Sequence, residues 1–176
     1  MTARTVPTMN PVSPGNFLTS SLWNGQVTAV GDFALTPPLF LGYQGTAQGI
    51  DSGTSLVSVN LDSEVLDSEG GHSTTTNPSR YTVQVAGTYL CVGNLAYLGN
   101  TSGIRCLVIA KNGVRQSFIQ QSTSSYGGWA GTLTCLVPCA VGDYLELQTY
   151  QNSGASLNTD PTYQQNVSLS ALWLSK

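Results

Sequence analysis

The sequence has few charged residues. Asp, Glu, Lys and Arg make up only 9% of its 176 residues, far below the roughly 25% that is usual in soluble domains. Six Lys and Arg and a net charge of −3 cannot form a basic surface that follows a phosphate backbone, so we expect no nucleic-acid partner. Solubility must come from Ser, Thr, Asn, Gln and Gly, a composition that suits a β-rich protein with neutral surfaces and large subunit interfaces.

Long apolar runs are also missing. No stretch approaches the roughly 20 apolar residues that a transmembrane helix needs, so we expect no membrane insertion. The N-terminus, MTARTVPTMNPVSPG, lacks the apolar core of a signal peptide. These absences predict a protein that is made and assembled in the cytoplasm.

Residues for catalysis and metal binding are scarce. The chain has one histidine, His72, and no Gly-x-Ser-x-Gly, Walker or Cys-x-x-Cys motif. His72 is expected to make a hydrogen bond within its loop, with metal ligation or pH sensing as the alternatives. The sequence therefore predicts no enzymatic activity and no catalytic residues.

The four cysteines lie in apolar segments. This placement predicts buried, reduced thiols, since cysteine is among the most buried residue types. A disulfide after release into an oxidising medium is the alternative. A zinc site is disfavoured because there is no second histidine. The four are Cys91, Cys106, Cys135 and Cys139.

From residue 39 onward the pattern alternates with period two, which predicts strands. Gly, Asn, Ser and Asp punctuate them, and Asn112-Gly113 predicts a two-residue hairpin. About nine short strands in one domain predict a two-layer β-sandwich. The predicted strands cover residues 39–47, 54–61, 80–85, 88–98, 104–111, 114–121, 130–137, 144–151 and 167–174.

The first 37 residues predict an anchoring arm with one short helix. Residues 1–15 carry three prolines and no periodicity. Residues 18–33 predict a helix, because Thr19 can cap it and apolar residues recur at helical spacing. This helix either packs on its own sandwich or docks on a partner protein or on its symmetry mates. The anchoring candidates are Leu22, Trp23, Val27 and Val30.

Residues 61–71 predict an acidic, turn-rich loop. Asp62, Glu64, Asp67 and Glu69 supply oxygen ligands of the kind that calcium prefers, although their spacing does not match an EF-hand. We therefore expect a solvated loop and no cofactor, with calcium as the weaker alternative.

Residues 122–131 predict a small-residue loop that carries Tyr126 and Trp129. Aromatic rings among Ser, Asn and Gln suit the stacking of a glycan. The alternative is that both rings cover one end of the sandwich. The two residues are the candidate ligand-binding site.

Several motifs in order resemble one family. They are the turn Thr-Asn-Pro-Ser-Arg at 76–80, Val-Ala-Gly-Thr-Tyr-Leu at 85–90, Ile-Ala-Lys-Asn-Gly at 109–113, Val-Gly-Asp-Tyr-Leu-Glu-Leu at 141–147 and Leu-Ser-Ala-Leu-Trp at 169–173. From about residue 38 to residue 176 the chain resembles the C1q/TNF-like jelly-roll domain of phage virion proteins, of the actinobacteriophage minor tail or capsid decoration type. The resemblance implies an all-β jelly roll over residues 38–176.

The resemblance also implies a homotrimer. Tyr43, Tyr97, Tyr150 and Trp173 are then expected to divide between the core and the subunit interface. A closed symmetric assembly would protect the strand edges of such an uncharged sandwich from uncontrolled association.

The implied function is that of a non-enzymatic structural protein on the virion surface, made in the cytoplasm of the bacterial host. Its arm would attach to a capsid or tail protein, as in a capsid decoration, head-fibre or minor tail protein. The alternative is a tail adhesin that mediates host attachment by recognising a host-surface glycan or protein. A secreted cellular ligand is disfavoured, because both a signal peptide and a collagen-like repeat are missing.

Overall fold

The computed structural model describes residues 4–9, 12–17, 19–123 and 128–176. An N-terminal helix precedes twelve strands in this part of the chain. The helix comprises α1 (Ser20–Trp23), a π-helical segment (Asn24–Thr28) and α2 (Ala29–Leu35). The strands are β1 (Leu39–Tyr43), β2 (Gly49–Ile50), β3 (Val57–Ser58), β4 (Ser63–Asp67), β5 (Arg80–Thr82), β6 (Gly87–Tyr97), β7 (Ile104–Lys111), β8 (Val114–Ser122), β9 (Trp129–Cys139), β10 (Tyr144–Gln151), β11 (Leu157–Asn158) and β12 (Ser168–Ser175).

Two antiparallel sheets form the sandwich. The first sheet has the order β4-β1-β12-β6-β9, and the second has the order β3-β10-β7-β8 with β5 also paired to β10. β2 and β11 form a separate two-stranded ladder. The prediction of an all-β jelly-roll sandwich is confirmed.

The first and last long strands are neighbours in the first sheet. β1 pairs with β12, with Leu39 opposite Leu172 and Tyr43 opposite Ser168. The helix leads directly into β1, so it joins the sandwich at the end where β12 finishes. We call this end the base and the opposite end the apex.

The core lies between the two sheets and is filled by alternate residues of their strands. Phe40 stacks on Tyr81 with ring centroids 4.4 Å apart, and both rings are fully buried. Tyr89 donates its hydroxyl hydrogen bond to the carbonyl of Val85 at 2.7 Å. Burial raises the pKa of both Tyr81 and Tyr89 well above the ordinary value, because a phenolate would lose its hydration there.

The chain crosses from one sheet to the other at Gly87. The runs on either side of Ala86-Gly87 do not pair with each other, because β5 pairs with β10 while β6 pairs with β12 and β9. Gly87 has φ 153°, and a Cβ there would overlap the indole of Trp173 and the carbonyl of Ser175. Glycine is therefore required at this crossing.

The predicted Asn-Gly hairpin is confirmed. Asn112 and Gly113 connect β7 to β8 with φ values of 52° and 75°, the positive pair that a type I′ turn needs. The predicted strands of the second half of the chain match β6 to β10 and β12 to within about two residues. Residues 124–127 of the predicted 122–131 loop lie outside the described residues.

The prediction that residues 61–71 form a loop is wrong for residues 63–67. Residues 63–67 form the edge strand β4, which pairs with β1. Residues 54–61 were predicted as a strand, yet only Val57–Ser58 join a ladder. Val59 and Leu61 are nevertheless fully buried, so the apolar alternation there reflects core packing without a continuous ladder.

Candidate interaction surfaces

The outward face of the first sheet is apolar. In its central row Leu39, Leu172, Leu90 and Leu136 lie directly opposite one another across β1, β12, β6 and β9. Opposite residues of antiparallel strands share one face, so the four leucines form one continuous stripe. Leu66, Leu41 and Val92 lie in the adjoining row. We call these seven residues the outer leucine face.

The outer leucine face is exposed and uncharged. Leu136 is 59% exposed and Leu66 is 47% exposed, while the other five residues are half-buried. The outward positions that continue the face along β1, β12, β6 and β9 are Tyr, Ser, Thr, Asn, Ala or Pro. A contiguous apolar patch of this kind is typical of a protein–protein interface.

The N-terminal helix carries the predicted anchoring residues. It begins at Thr19, whose hydroxyl accepts a hydrogen bond from the backbone N–H of Leu22 at 3.1 Å. Trp23 is 48% exposed and Val27 is 41% exposed, and Leu22 and Val30 are half-buried. The anchoring role of these residues stays a prediction.

The helix is fixed to the base of the sandwich near its C-terminal end. Phe33 is the buried residue of the helix, and its ring meets Trp173 edge to face with centroids 4.9 Å apart. Arg4 lies over the Phe33 ring at 5.2 Å and forms an ion pair of 2.6 Å with Glu69. Trp23 and Val27 therefore lie on the part of the helix that precedes this attachment point.

The four acidic residues of the calcium hypothesis do not converge. Asp62 accepts hydrogen bonds from the backbone N–H groups of Gly45 and Thr46. Glu69 binds Arg4. Within the described residues, no group of three His, Cys, Asp or Glu side chains is placed to hold a metal ion.

Glu64 and Asp67 instead hold His72. The Nδ1 atom of His72 lies 3.0 Å from Glu64 Oε2, and its Nε2 atom lies 3.1 Å from the carbonyl oxygen of Pro78. The backbone N–H of His72 donates to Asp67 at 2.8 Å. The imidazole is fully buried. Both of its nitrogens have oxygen partners, and neither is paired with a serine or cysteine among the described residues.

Only part of the candidate ligand-binding loop lies within the described residues. Tyr126 lies outside the described residues. Trp129 is 6% exposed and packs near Tyr97, with ring centroids 6.1 Å apart. Trp129 therefore belongs to the core, and its ring does not offer a stacking surface to a ligand.

The predicted aromatic residues divide among different surroundings. Tyr97 is buried and shares a hydrogen bond of 2.8 Å with Thr149, and burial raises its pKa to about 12. Trp173 is half-buried at the base and donates its indole N–H to the carbonyl of Ala86 at 3.1 Å. Tyr150 packs on the outward face of the second sheet. Tyr43 lies half-exposed beside the outer leucine face.

The four cysteines are free thiols. Cys91, Cys106 and Cys139 are buried and Cys135 is half-buried. Burial raises the pKa of each thiol, for Cys139 to about 11. Cys91 lies directly opposite Cys135 in the β6–β9 ladder.

A polar cleft that sequence reasoning missed lies beside β5. It has a volume of about 380 Å³ and is enclosed by residues 70–77, β5 and the start of β10. Arg80 lines it, and its side chain is held by β10: its Nε donates to Glu146 at 3.0 Å and its guanidinium lies 4.2 Å from the centre of the Tyr144 ring. We call it the Arg80 cleft. Arg80 is more than 60 positions from Tyr144 and Glu146 in the sequence, so only the fold reveals the site.

None of the helices formed by the described residues is long and apolar enough to span a membrane.

No protein-family model and no curated protein sequence matches this chain. Similarity appears among solved structures. The globular domain of the zebrafish complement 1qA protein is 12% identical over 79% of this chain and 98% of that domain, with a TM-score of 0.56. Murine APRIL, in its crystal structure at pH 5.0, is 14% identical over 78% of this chain and 98% of the other, with a TM-score of 0.59. These matches confirm a C1q/TNF-like jelly-roll fold.

Proposed function

We propose that this chain is a non-enzymatic structural protein of a bacteriophage particle, in which three jelly rolls associate into a knob. The observation that carries the self-association is the outer leucine face. Seven apolar residues lie on an uncharged sheet face, where a lone sandwich would be expected to place polar side chains. The phage assignment is supported by the sequence motifs that resemble virion jelly rolls.

Residues 1–37 serve as the attachment arm in this proposal. Trp23 and Val27 are exposed on the part of the helix that precedes the Phe33 contact. Large apolar side chains of this kind are typical centres of binding energy in protein interfaces. The partner would be a capsid protein for a decoration or head-fibre role, or a tail protein for a minor tail role. The knob would then lie on the virion surface after assembly in the host cytoplasm.

The absence of catalysis is supported by the environment of His72. Its two ring nitrogens already face Glu64 and the Pro78 carbonyl, so the sole imidazole is not placed to activate a nucleophile. No cofactor is needed for this role.

A second candidate function is that of a tail adhesin that recognises a host-surface glycan or protein. The Arg80 cleft favours it, because the cleft is polar, open to solvent and lined by hydrogen-bonding side chains. The two roles are compatible only if the side of the knob that carries the cleft, beside the start of β10, stays accessible on the particle.

The trimer is tested by measuring the mass of the full chain in solution by light scattering. We expect three times the 18.5 kDa of the chain. Leu136→Arg should give monomers, because it places a charge within the proposed apolar interface. Val141→Arg is the matched control, since Val141 is 61% exposed in the turn between β9 and β10, compared with 59% for Leu136. A wild-type monomer, or equal masses for both variants, would contradict the proposed interface.

The location is tested by cryo-electron microscopy of the particle that carries the protein. Three-fold knobs with residues 1–37 buried against the capsid shell are expected for a decoration protein. Density restricted to the tail tip would place the protein in the tail and favour the adhesin role. Absence from every particle would overturn the proposal.

A further inference from the structure

The Arg80 cleft has the features of a ligand site whose anchor is held in place before binding. Arg80 is constrained from two sides, by the hydrogen bond from its Nε to Glu146 and by the ring of Tyr144 beneath its guanidinium. The Glu146 carboxylate is itself only 4% exposed, and its other oxygen accepts a hydrogen bond from Gln148 at 3.1 Å. An arginine held in this way loses little side-chain entropy when a ligand binds.

Arg80 nevertheless keeps unused donors. Its side chain is 42% exposed, and within the described part of the chain its two terminal NH₂ groups make no hydrogen bond. Four N–H bonds of the guanidinium therefore remain for a ligand in the cleft.

The charge balance of the cleft favours an uncharged ligand. The positive charge of Arg80 is already neutralised by Glu146 at 3.0 Å. Arg80 is the only Lys or Arg among the described residues that line the cleft, and the His72 ring at its edge is buried against Glu64. An anion would gain little net attraction here, because the buried carboxylate behind Arg80 would repel it.

The remaining lining groups suit hydroxyls. Ser73, Thr76 and Thr82 contribute hydroxyl groups, and Asn77 and Gln84 contribute amides, so donors and acceptors alternate around Arg80. Gln84 donates to the carbonyl of Thr82 at 3.1 Å, which orients its own carbonyl oxygen as an acceptor. The volume of about 380 Å³ falls in the range of small-ligand sites.

We propose that the Arg80 cleft binds an uncharged sugar residue through its hydroxyl groups. The face of Tyr144 is covered by Arg80, so recognition uses hydrogen bonds without ring stacking and each site binds weakly. Several copies on one particle would multiply that affinity through avidity. This inference deepens the adhesin role and does not depend on the trimer.

The test is an NMR titration of the ¹⁵N-labelled full chain. The probes are methyl glycosides of glucose, galactose and mannose, N-acetylglucosamine, sodium glucuronate and sodium sulfate. We expect saturable shifts of the amides of residues 70–84 and Tyr144 with at least one neutral sugar, and weaker binding of glucuronate and sulfate. Leu136→Arg should bind the same sugar as the wild type, so a failure of the trimer proposal would leave this result unchanged.

Two variants connect the binding to the named side chains. Arg80→Lys keeps a positive charge beside Glu146 but removes the fork of N–H donors, and Gln84→Ala leaves the Arg80–Glu146 pair intact. Each should weaken sugar binding by about 10-fold, the loss expected for one good hydrogen bond. Arg115→Lys is the control, because Arg115 lies over Phe118 on β8, away from the cleft, and it should bind like the wild type. The proposal is overturned if no neutral sugar saturates these shifts, if only the anions bind, or if Arg80→Lys binds unchanged.

Discussion

At the scale of single residues, Asp143 connects two turns at the base. Its Oδ2 accepts a hydrogen bond from the backbone N–H of Ala140 at 2.8 Å, and its Oδ1 accepts one from the side chain of Asn112 at 2.7 Å. Asn112 in turn accepts a hydrogen bond from the backbone N–H of Tyr144 at 2.9 Å. The bond from Ala140, followed by that from Asn112, lowers the pKa of Asp143 below its ordinary value. The carboxylate therefore links the β7–β8 hairpin to the β9–β10 turn.

This lowered pKa predicts a loss of stability in acid. A carboxyl whose pKa is lower in the folded than in the unfolded chain stabilises the fold above its unfolded pKa, and this stabilisation is lost as the pH falls through the folded pKa. We expect Asp143→Asn to lower the thermal midpoint at neutral pH, and the difference from the wild type to shrink below about pH 4. Thermal unfolding at several pH values measures this difference in thermal midpoint. Asp51→Asn, at an exposed position, is the control, and a difference that does not change with pH would contradict the prediction.

The structural role of a residue could be predicted from the sequence where that role is set by its immediate neighbours. Asn112-Gly113 could be predicted because the positive φ values of a tight hairpin restrict the residue types. Arg105 could not, because its burial depends on the fold. The Arg105 side chain is fully buried, and its two terminal NH₂ groups donate to the carbonyls of Asn100, Ser102 and Ile104. Burial lowers the pKa of Arg105, because the charged guanidinium loses hydration.

At the scale of elements, the long strands could be predicted and the short ones could not. Apolar alternation over eight or more residues identified β6, β7, β8, β9, β10 and β12, because such a pattern has one stable placement in a sandwich. β2 and β11 have two residues each and carry no pattern. β4 was missed because its acidic residues indicated solvent, whereas Glu64 and Asp67 are satisfied by His72, which lies beyond the strand.

The candidate site could be predicted only in part, for the same reason. The helix and its apolar residues follow from local spacing, and they occur where expected. The outer leucine face requires the register of four strands, and the Arg80 cleft requires β5 to pair with β10. The sequence predicts that Trp129 contacts a ligand, yet its ring is buried. The direction of a side chain at a strand end depends on register, which the sequence does not show.

The β6–β9 ladder predicts which cysteines can pair. Cys91 and Cys135 are direct partners. Opposite Cβ atoms in antiparallel strands are about 4.5–5.5 Å apart, about 1 Å wider than in a disulfide, so a small local shift of the strands would allow the bond. Oxidation of the partly unfolded and then refolded chain with diamide should yield a Cys91–Cys135 disulfide, located by peptide mapping. The native thiols should react slowly, because burial keeps them protonated.

Two variants control this prediction. Cys106→Ala should leave the disulfide unchanged, because Cys106 lies in the other sheet and packs with Val108 and Ala110. Cys135→Ala should abolish it. A crosslink that involves Cys106 in the wild-type chain would contradict the register on which the prediction rests.

At the scale of the whole molecule, the fold of the sandwich depends little on the helix. The sandwich core lies between residues 40 and 171, whereas the helix contributes one buried side chain, Phe33. Removal of residues 1–37 should therefore leave the sandwich folded and lower its stability by about 2 kcal/mol, the value of one buried aromatic side chain. Circular dichroism and thermal unfolding measure both quantities.

Phe33→Ala in the full chain is the matched control for this deletion. It should reproduce most of the loss of stability while keeping the helix. The deletion should also remove attachment to the particle if the arm is the anchor, without changing the number of chains in the knob. An unfolded sandwich after the deletion would show that the two parts form one cooperative unit.

The pairing of β1 with β12 determines where a peptide fused to this protein would emerge. Because Leu39 lies opposite Leu172, a peptide fused after Lys176 would emerge beside the N-terminal helix and, if residues 1–37 are the anchor as proposed, would face the particle. A peptide grafted into a loop at the apex, where β6 ends and β7 begins, would face the medium. If residues 1–37 anchor the protein as proposed, the apical loops are the place for an epitope in a vaccine-display or phage-targeting scaffold, because a C-terminal tag would be sterically hidden on the assembled particle.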